Sequence, residues 1–254
     1  MILITGGNGW IGLNLLNELS EDSKNIWMQK NNKICALVLP NSSIDKVKSI
    51  NSKIECIFGD IRNIYSLEDI FKKNKINLII HTAGVIHPRK VKDFYENNLL
   101  GTKNLLYLAN KYKVKKTVLL SSNSPFGFNE DKNKYFNEES DYKPYMNYGM
   151  SKMKMESVAF DFIKKYDSNI TIIRAPWFYG PHQPLRQKRF YEMIRKGTVP
   201  IVGNGENLRS MVNTKNLCEG ILLSTKTPKA KGKVYWIADS NPYSMNYIIS
   251  TIRD

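Results

Sequence analysis

Tyr148 and Lys152 lie four residues apart in a stretch whose pattern predicts a helix over Tyr148–Tyr166, so they share one helix face. A tyrosine has an ordinary pKa of about 10 and is a poor base at neutral pH. A neighbouring ammonium favours the phenolate and makes the tyrosine a usable acid–base group. Ser122 ends a predicted strand earlier in the chain, where its hydroxyl could hydrogen-bond the same substrate oxygen. We therefore predict Ser122, Tyr148 and Lys152 as the catalytic residues.

Three glycines, Gly6, Gly9 and Gly12, lie between a predicted strand at Ile2–Thr5 and a helix predicted over Ile11–Ser20. Glycines at this junction permit a tight turn and a close approach of the backbone to a pyrophosphate. The helix N-terminus adds free N–H groups and the positive end of its dipole. The strand–turn–helix context predicts a dinucleotide-binding loop.

The residues after the second predicted strand normally distinguish NAD from NADP. An acidic side chain there binds a ribose hydroxyl, and an arginine accepts a 2′-phosphate. The segment Leu37-Val-Leu-Pro-Asn-Ser-Ser43 contains neither, while Ser42, Ser43 and Lys46 could serve a phosphate. The sequence therefore leaves both NAD and NADP open as the cofactor.

Short β-branched runs alternate with longer helical patterns along the first two thirds of the chain. The predicted strands are Ile2–Thr5, Lys33–Leu39, Ile54–Phe58, Leu78–His81, Thr117–Leu120 and Ile170–Arg174. The predicted helices are Ile11–Ser20, Ser66–Lys73, Val91–Tyr112 and Tyr148–Tyr166. Nearly continuous apolar strands suit a parallel sheet that is covered on both faces. The alternation predicts an α/β fold, a doubly wound parallel sheet of the Rossmann type.

The pattern changes near residue 180. The remaining stretch contains a basic helix at Arg186–Lys196, a turn at Gly203-Asn-Gly205, a helix at Leu217–Ser224 and a strand at Val234–Ile237. We expect residues 1–180 to form the dinucleotide-binding domain and residues 181–254 a smaller C-terminal substrate-binding lobe. Val234–Ile237 is a candidate to return to the main sheet. Asp22–Asn32 is predicted as a surface loop.

The composition narrows the classes of partner. The net charge is +15, but the lysines are dispersed and no basic motif is interleaved with aromatic residues, so we expect anionic small molecules rather than nucleic acid. The three cysteines show no metal-ligand or disulfide spacing, and we expect no metal. No apolar run is long enough to span a bilayer, and the first one looks too short for a secretion signal. The default expectation is a cytoplasmic protein.

Several further motifs resemble those of the extended short-chain dehydrogenase/reductase family, which includes nucleotide-sugar epimerases and dehydratases. The resemblance covers essentially the whole chain. It is carried by Thr5-Gly-Gly-Asn-Gly-Trp-Ile-Gly12, Gly59-Asp-Ile-Arg62, His81-Thr-Ala-Gly84, Asn98-Leu-Leu-Gly-Thr102, Ser121-Ser-Asn-Ser-Pro-Phe-Gly127 and Arg174-Ala-Pro-Trp-Phe-Tyr-Gly-Pro181. Counting back from Gly127 in the family's serine motif indicates Ser122 as the catalytic hydroxyl, with Ser124 as the nearby alternative.

The resemblance implies a set of cofactor-binding residues. Asp60 would contact adenine, and Lys152 would hold the ribose. The complete set is Gly6, Gly9, Trp10, Ile11, Gly12, Asp60, Ile61, Ala83, Gly84, Asn98, Tyr148, Lys152 and Pro176.

The substrate-binding residues follow from the same comparison. Gly203-Asn-Gly-Glu-Asn-Leu-Arg209 resembles a stretch in which epimerases place an arginine on the nucleotide diphosphate, so Arg209 is the candidate phosphate ligand. His87 lies in the loop after the fourth strand, where a polar loop without a ligand is equally consistent. The candidate substrate-binding residues are His87, Ser124, Trp177 and Arg209.

Some positions depart from the family pattern. Trp177 stands where many sugar-nucleotide enzymes carry a substrate-binding asparagine, and Asn213 and Asn216 replace the usual histidine and aspartate. Family 4,6-dehydratases carry an Asp-Glu pair after the catalytic threonine, whereas Asn123-Ser124 follows Ser122 here. Dehydration by that mechanism is therefore disfavoured. The sequence also stops soon after Ser244, where family members usually continue, so we expect either a reduced lobe or an incomplete sequence.

The resemblance implies hydride transfer at a secondary alcohol or ketone, with NAD or NADP as cofactor. The epimerase reaction on a nucleotide sugar is favoured by Gly203–Arg209 and by Tyr179-Gly-Pro181. Trp177 keeps open a reductase or dehydrogenase that acts on a less polar carbonyl substrate. A non-catalytic redox-sensing or RNA-binding member of the family is the third alternative. For each of these three alternatives, a homodimer is the assembly under consideration.

Overall fold

The computed structural model describes residues 1–21, 33–131 and 134–254, so the loop predicted over Asp22–Asn32 lies outside the described residues. The strands, in chain order, are β1 (Ile2–Thr5), β2 (Ile34–Val38), β3 (Glu55–Phe58), β4 (Leu78–His81), β5 (Lys116–Ser122), β6 (Ile170–Ala175), β7 (Trp177–Tyr179), β8 (Leu208–Arg209), β9 (Met211–Asn213), β10 (Val234–Trp236) and β11 (Tyr243–Ser244). A seven-stranded parallel sheet with the order β10-β6-β5-β4-β1-β2-β3 forms the centre of the protein.

The helices, in chain order, are α1 (Trp10–Glu21), α2 (Asp45–Ile50), α3 (Ile64–Lys73), α4 (Lys92–Phe94), α5 (Thr102–Lys111), α6 (Asn147–Tyr166), α7 (Leu185–Arg195), α8 (Thr214–Lys226) and α9 (Met245–Arg253). A π-helical segment, Tyr95–Gly101, joins α4 to α5. The structure therefore divides the single helix predicted over Val91–Tyr112 into three helical segments.

Both faces of the sheet are covered, as the apolar strands predict. Ile2 and Ile4 of β1 belong to a core built with α1 and α8, whereas Leu3 belongs to the opposite core with α3 and α5. Successive strand residues point to opposite faces, so one apolar strand contributes to both cores. The sheet order and the two helical layers confirm the predicted doubly wound α/β fold.

The stretch after residue 180 divides between the two parts of the molecule. β10 pairs with β6 in the main sheet, which confirms that the Val234–Ile237 stretch returns there. α8 also packs on α1 in the main core, whereas β8, β9 and β11 form two small sheets, β7–β9 and β8–β11, and α7 packs against α9. We keep the division at residue 180 as a proposal for where the substrate lobe begins.

Candidate active site

The carboxyl ends of β1, β4 and β5 lie side by side, because these strands are neighbours in a parallel sheet. This edge brings together Gly6 after β1, His81 at the end of β4 and Ser122 at the end of β5. Ligands of open α/β sheets bind outside this edge. The sheet therefore places the glycine loop beside the predicted catalytic serine.

The glycine loop has the shape of a phosphate cradle. Gly6 has φ +69°, and a Cβ there would come within 2.9 Å of the Ala83 backbone. A Cβ on Gly12 would lie 2.1 Å from the Gly6 carbonyl oxygen, so the start of α1 packs closely on the loop. A Cβ on Gly9 would contact only the Gly6 carbonyl, at 3.1 Å, and otherwise faces open space. The space in front of Gly9 suits the pyrophosphate of a dinucleotide.

Trp10 and Ile11 begin α1 and support this loop. Trp10 Nε1 donates to the Pro181 carbonyl over 2.7 Å, and its ring meets Phe178 edge-on with 4.8 Å between centroids. Ile11 is buried in the core. The described contacts of Trp10 therefore join the cofactor loop to the start of the substrate lobe, a connection that the sequence did not predict.

The residues predicted near adenine lie after β3. Asp60 accepts hydrogen bonds from the Arg62 guanidinium, which lowers the pKa of its carboxyl. Ile61 is buried, and a Cβ on Gly101 would lie 2.5 Å from its side chain. The close packing explains why a glycine is required at position 101 of the π-helical segment.

His81 lies in a chain of buried hydrogen bonds below the cofactor edge. Thr5 Oγ1 is 2.6 Å from His81 Nδ1, and Thr102 Oγ1 is 2.9 Å from His81 Nε2. The Thr102 hydroxyl donates to the Asn98 carbonyl over 2.7 Å, so it must accept from Nε2–H. Burial lowers the pKa of His81 to about 3, which keeps the ring neutral. The histidine connects β1 and β4 to the helix that carries Asn98.

Asn98 continues this network towards the catalytic helix. Its side-chain oxygen accepts from Val85 N over 2.9 Å, and its amide nitrogen donates to Val85 O over 3.1 Å. The same nitrogen lies 2.9 Å from the Ser151 hydroxyl, which itself donates to the Tyr148 carbonyl over 2.8 Å. Asn98 thus holds the loop after Ala83 and Gly84 against the first turn of α6.

The structure brings the three predicted catalytic side chains together. Ser122 and Lys152 are buried, whereas Tyr148 is half-buried. Burial raises the pKa of the Tyr148 phenol, and its hydrogen bond with Ser122 offsets part of that rise. The Ser122 hydroxyl also lies 3.2 Å from the Ser124 hydroxyl, so the alternative serine is in the same site. A phenol with a raised pKa needs a cation close by before it can act as a base.

Lys152 lies one helical turn after Tyr148 on α6 and is the predicted cation for that task. Its Nζ donates to the Leu120 carbonyl over 2.6 Å and approaches the sulfur of Met155 at 3.2 Å. Burial lowers the pKa of Lys152 to about 8, and the charge of Glu156 acts in the opposite direction. The ammonium is therefore held at the strand end and is close to titration at neutral pH.

Glu156 and Arg174 are two residues beside the site whose role was not predicted from the sequence. They form a buried ion pair on α6 and β6, 2.8 Å from Arg174 Nη2 to Glu156 Oε2. Ser121 and Tyr142 donate hydrogen bonds to the same carboxylate. Glu156 lies one helical turn beyond Lys152, and the spacing of Tyr148, Lys152 and Glu156 was the available signal for it.

Two of the predicted substrate residues, Trp177 and Arg209, are in contact with each other. The guanidinium carbon of Arg209 lies 4.8 Å from the centroid of the Trp177 ring. Trp177 follows the buried Pro176 at the end of β6, and Arg209 lies on β8. His87 is exposed, and both burial and the charge of Arg186 lower its pKa. His87 therefore lies near the start of α7 rather than beside Trp177 in the contacts that the structure describes.

The described part of the chain comprises residues 1–21, 33–131 and 134–254. They contain no group of three or more His, Cys, Asp or Glu side chains able to hold a metal ion. No helix within those ranges is both long and apolar enough to cross a bilayer.

Comparison with known proteins identifies the family. Residues 2–238 match the model of the NAD dependent epimerase/dehydratase family, and the chain belongs to this family. This confirms the resemblance on which the cofactor expectation rests, and the cofactor is NAD or NADP.

Individual relatives include both epimerases and dehydratases. Protein y4nL of Sinorhizobium fredii, which is uncharacterized, is 39% identical over 99% of this chain and 71% of its own length. A UDP-glucose 4-epimerase of Cyamopsis tetragonoloba is 31% identical over 72% of this chain, which spans 52% of that enzyme. A dTDP-glucose 4,6-dehydratase of Bacillus anthracis, solved with NAD, superposes with a TM-score of 0.82 at 25% identity, covering 99% of this chain and 79% of that one.

Proposed function

We propose that the protein is an NAD(P)-dependent epimerase that acts at a secondary alcohol of a nucleotide sugar. The observation that carries the proposal is the convergence of Ser122, Tyr148 and Lys152 at the sheet edge beside the glycine loop. The similarity to a UDP-glucose 4-epimerase supports the substrate class. A basic protein of net charge +15 also suits a diphosphate ligand.

Each catalytic side chain has a distinct task. Tyr148 accepts the proton of the substrate hydroxyl as a phenolate and returns it at the end of the reaction. The Lys152 ammonium favours that phenolate, and the Ser122 hydroxyl donates to the reacting oxygen. Gly6, Gly9 and Gly12 would hold the pyrophosphate, and the bound cofactor supplies hydride acceptance and return at the carbon that changes configuration.

The residues after Ser122 favour epimerization over dehydration. Dehydration of a nucleotide sugar needs a further acid–base pair to remove water, and the related dehydratases are expected to carry carboxylates directly after the catalytic hydroxyl. In this chain the Ser122 hydroxyl instead contacts the Asn123 amide oxygen at 3.4 Å and the Ser124 hydroxyl at 3.2 Å. Neither the asparagine amide nor the serine hydroxyl is a carboxylate that could exchange a second proton at neutral pH.

A reductase or dehydrogenase of a less polar carbonyl compound is the second candidate. The observation that favours it is Trp177, whose indole places a large apolar surface where relatives of known activity are expected to carry an asparagine. The two candidates differ in how they use the cofactor. An epimerase retains it through the cycle, whereas a reductase exchanges it with solvent.

The test combines the cofactor and the product. The purified protein is denatured and the released nucleotide is identified by mass spectrometry, and the native protein is incubated with UDP-glucose and dTDP-glucose. We expect tightly held NAD and a mixture of the two C4 epimers of one of these sugars. Loosely held NADP with no epimer formed would favour the reductase, and salt-dependent RNA binding with no turnover would favour the non-catalytic alternative.

A further inference from the structure

The guanidinium of Arg209 is held against an aromatic face. Its central carbon lies 4.8 Å from the centroid of the Trp177 ring. Stacking of a planar guanidinium on an indole is favourable, and it leaves the N–H groups at the guanidinium edge free for bidentate contacts. Arg209 is itself exposed, and the Trp177 ring is a described contact that restrains the position of its guanidinium. The indole therefore selects one orientation of a side chain that would otherwise sample many.

The indole is in turn held by α7. Trp177 Nε1 donates to Gln187 Oε1 over 3.2 Å, and the Phe190 ring packs on the indole with 5.4 Å between centroids. Gln187 is 8% exposed. An indole N–H can only donate, so the amide oxygen of Gln187 must face it. Two residues of one helix thus fix the plane of the Trp177 ring.

The hydrogen bond to the indole uses only the oxygen of the Gln187 amide. Gln187 Nε2 is buried and has no hydrogen-bond partner within the described parts of the chain. An apolar residue of similar size would remove this unpaired donor but would leave the indole N–H of Trp177 without its acceptor, so the glutamine at position 187 serves the indole and not the packing of α7 alone. Its oxygen contributes the hydrogen bond to the indole. The glutamine is explained if the orientation of the Trp177 ring matters for function.

We propose that Trp177 is a stacking platform that positions Arg209 for the diphosphate of the substrate, and that Gln187 is the positioning residue that fixes this platform. The inference rests on the proposed function, which supplies the nucleotide diphosphate as ligand. It also explains the departure at position 177, because an indole offers no acceptor and its single N–H is already donated to Gln187, so Trp177 cannot replace the hydrogen bonds of an asparagine. The arginine that it orients contributes the phosphate contact instead.

The test is a double-mutant cycle on binding of UDP, which carries the diphosphate without a sugar. UDP is titrated by calorimetry into the cofactor-loaded wild type, Trp177→Leu, Arg209→Ala and the double variant. We expect Arg209→Ala to weaken binding by roughly 10- to 100-fold, the range of a charge-assisted hydrogen bond. Trp177→Leu should weaken it by about tenfold, and the double variant should bind no more weakly than Arg209→Ala. Additive losses would mean that Trp177 acts independently of Arg209 and would overturn the inference.

A second measurement separates positioning from packing. Gln187→Leu preserves volume, and it removes the unpaired Nε2 while leaving the indole N–H of Trp177 unpaired in its place, so its melting temperature without ligand should stay close to that of the wild type. Its affinity for UDP should nevertheless fall several-fold, with kcat changed less than KM in the sugar assay. Lys188→Ala, at the exposed neighbour on α7, is the control and should change neither quantity appreciably. Unchanged UDP affinity in a folded Gln187→Leu variant contradicts the role of Gln187.

The outcomes also separate this inference from the proposed function. If the wild type converts a nucleotide sugar but Trp177→Leu binds UDP normally, the proposed function stands and the platform is rejected. If the wild type binds NAD but neither UDP nor dTDP, the substrate class is wrong and the platform for a diphosphate is rejected with it.

Discussion

Arg174 and Glu156 form a buried ion pair at the carboxyl end of the central sheet, with Arg174 Nη2 2.8 Å from Glu156 Oε2. The guanidinium carbon lies 4.3 Å from the centroid of the Phe126 ring and 5.5 Å from that of Trp236. Ser121, next to the predicted catalytic Ser122, donates to the same carboxylate. The pair therefore connects β5, β6 and β10 to the helix that carries Tyr148 and Lys152.

Replacing Glu156 by Gln should destabilise the fold strongly, because the Arg174 cation would remain buried without its partner. Loss of one member of a buried pair costs about 3–5 kcal/mol. The free energy of unfolding is measured by urea denaturation. Glu68→Gln, which breaks the more exposed Lys111–Glu68 pair, is the matched control and should have a much smaller effect. Equal losses in the free energy of unfolding of the two variants would contradict the larger contribution expected of the buried pair.

Lys152 makes the reaction sensitive to alkaline pH. Burial lowers its pKa to about 8, so the ammonium is present below that pH and is lost as the pH rises through it. Among the groups around it, His81 stays neutral because its pKa is lowered to about 3, and Glu156 on the next helical turn favours the ammonium. With the ammonium lost, the phenolate of Tyr148 loses its stabilising cation, and kcat/KM should fall above about pH 8.

The assay follows kcat/KM from pH 6 to pH 10, with Lys152→Arg as the diagnostic variant. An arginine stays protonated throughout this range, so any activity that this variant retains should lack the alkaline decline. A decline of the same shape in both proteins would assign it to another group.

The sequence predicted the main sheet and most of its helices because their apolar patterns are long and unambiguous. β1, for example, was predicted with the bounds that the structure has. The short helix α2 was not predicted, since six residues show little periodicity, and the C-terminal α9 was missed although its residues are amphipathic. It was possible to predict Ser122, Tyr148 and Lys152 from the sequence, because the first lies at a strand end and the other two have a helical spacing.

Other parts of the site depend on contacts between distant segments, which no local pattern reveals. Trp10 was predicted as a cofactor residue from its place in the glycine motif, yet its indole bonds to Pro181, far along the chain. Gln187 was unremarked in a basic helix, although it is the buried partner of Trp177. Pairings of this kind arise only when the second lobe packs against the first.

Gly9→Val should abolish dinucleotide binding while leaving the protein folded. A Cβ at Gly9 meets only the Gly6 carbonyl, and the rest of a valine would occupy the open space in front of the loop. Gly6→Val is the contrasting variant and should fail to fold, because φ is +69° there and a Cβ would lie 2.9 Å from the Ala83 backbone. Calorimetry with NAD and NADP, preceded by circular dichroism, distinguishes the two. Unchanged affinity in a folded Gly9→Val protein would contradict this assignment.

Tyr148→Phe should remove nearly all turnover and preserve cofactor binding. The substitution deletes only the phenolic hydroxyl and keeps the ring, which packs on Phe94 with 6.1 Å between centroids. Loss of a positioned acid–base group typically lowers the rate by about 10²- to 10⁴-fold. Tyr95→Phe is the matched control, since it removes a hydroxyl that hydrogen-bonds Asn147 at the start of the same helix, and it should retain most of the activity. Rates are compared at saturating sugar substrate, with bound cofactor quantified in each variant. If Tyr148→Phe keeps most of the wild-type rate with its full complement of cofactor, the proton is exchanged by another group, and Ser122 or Ser124 becomes the residue to test next.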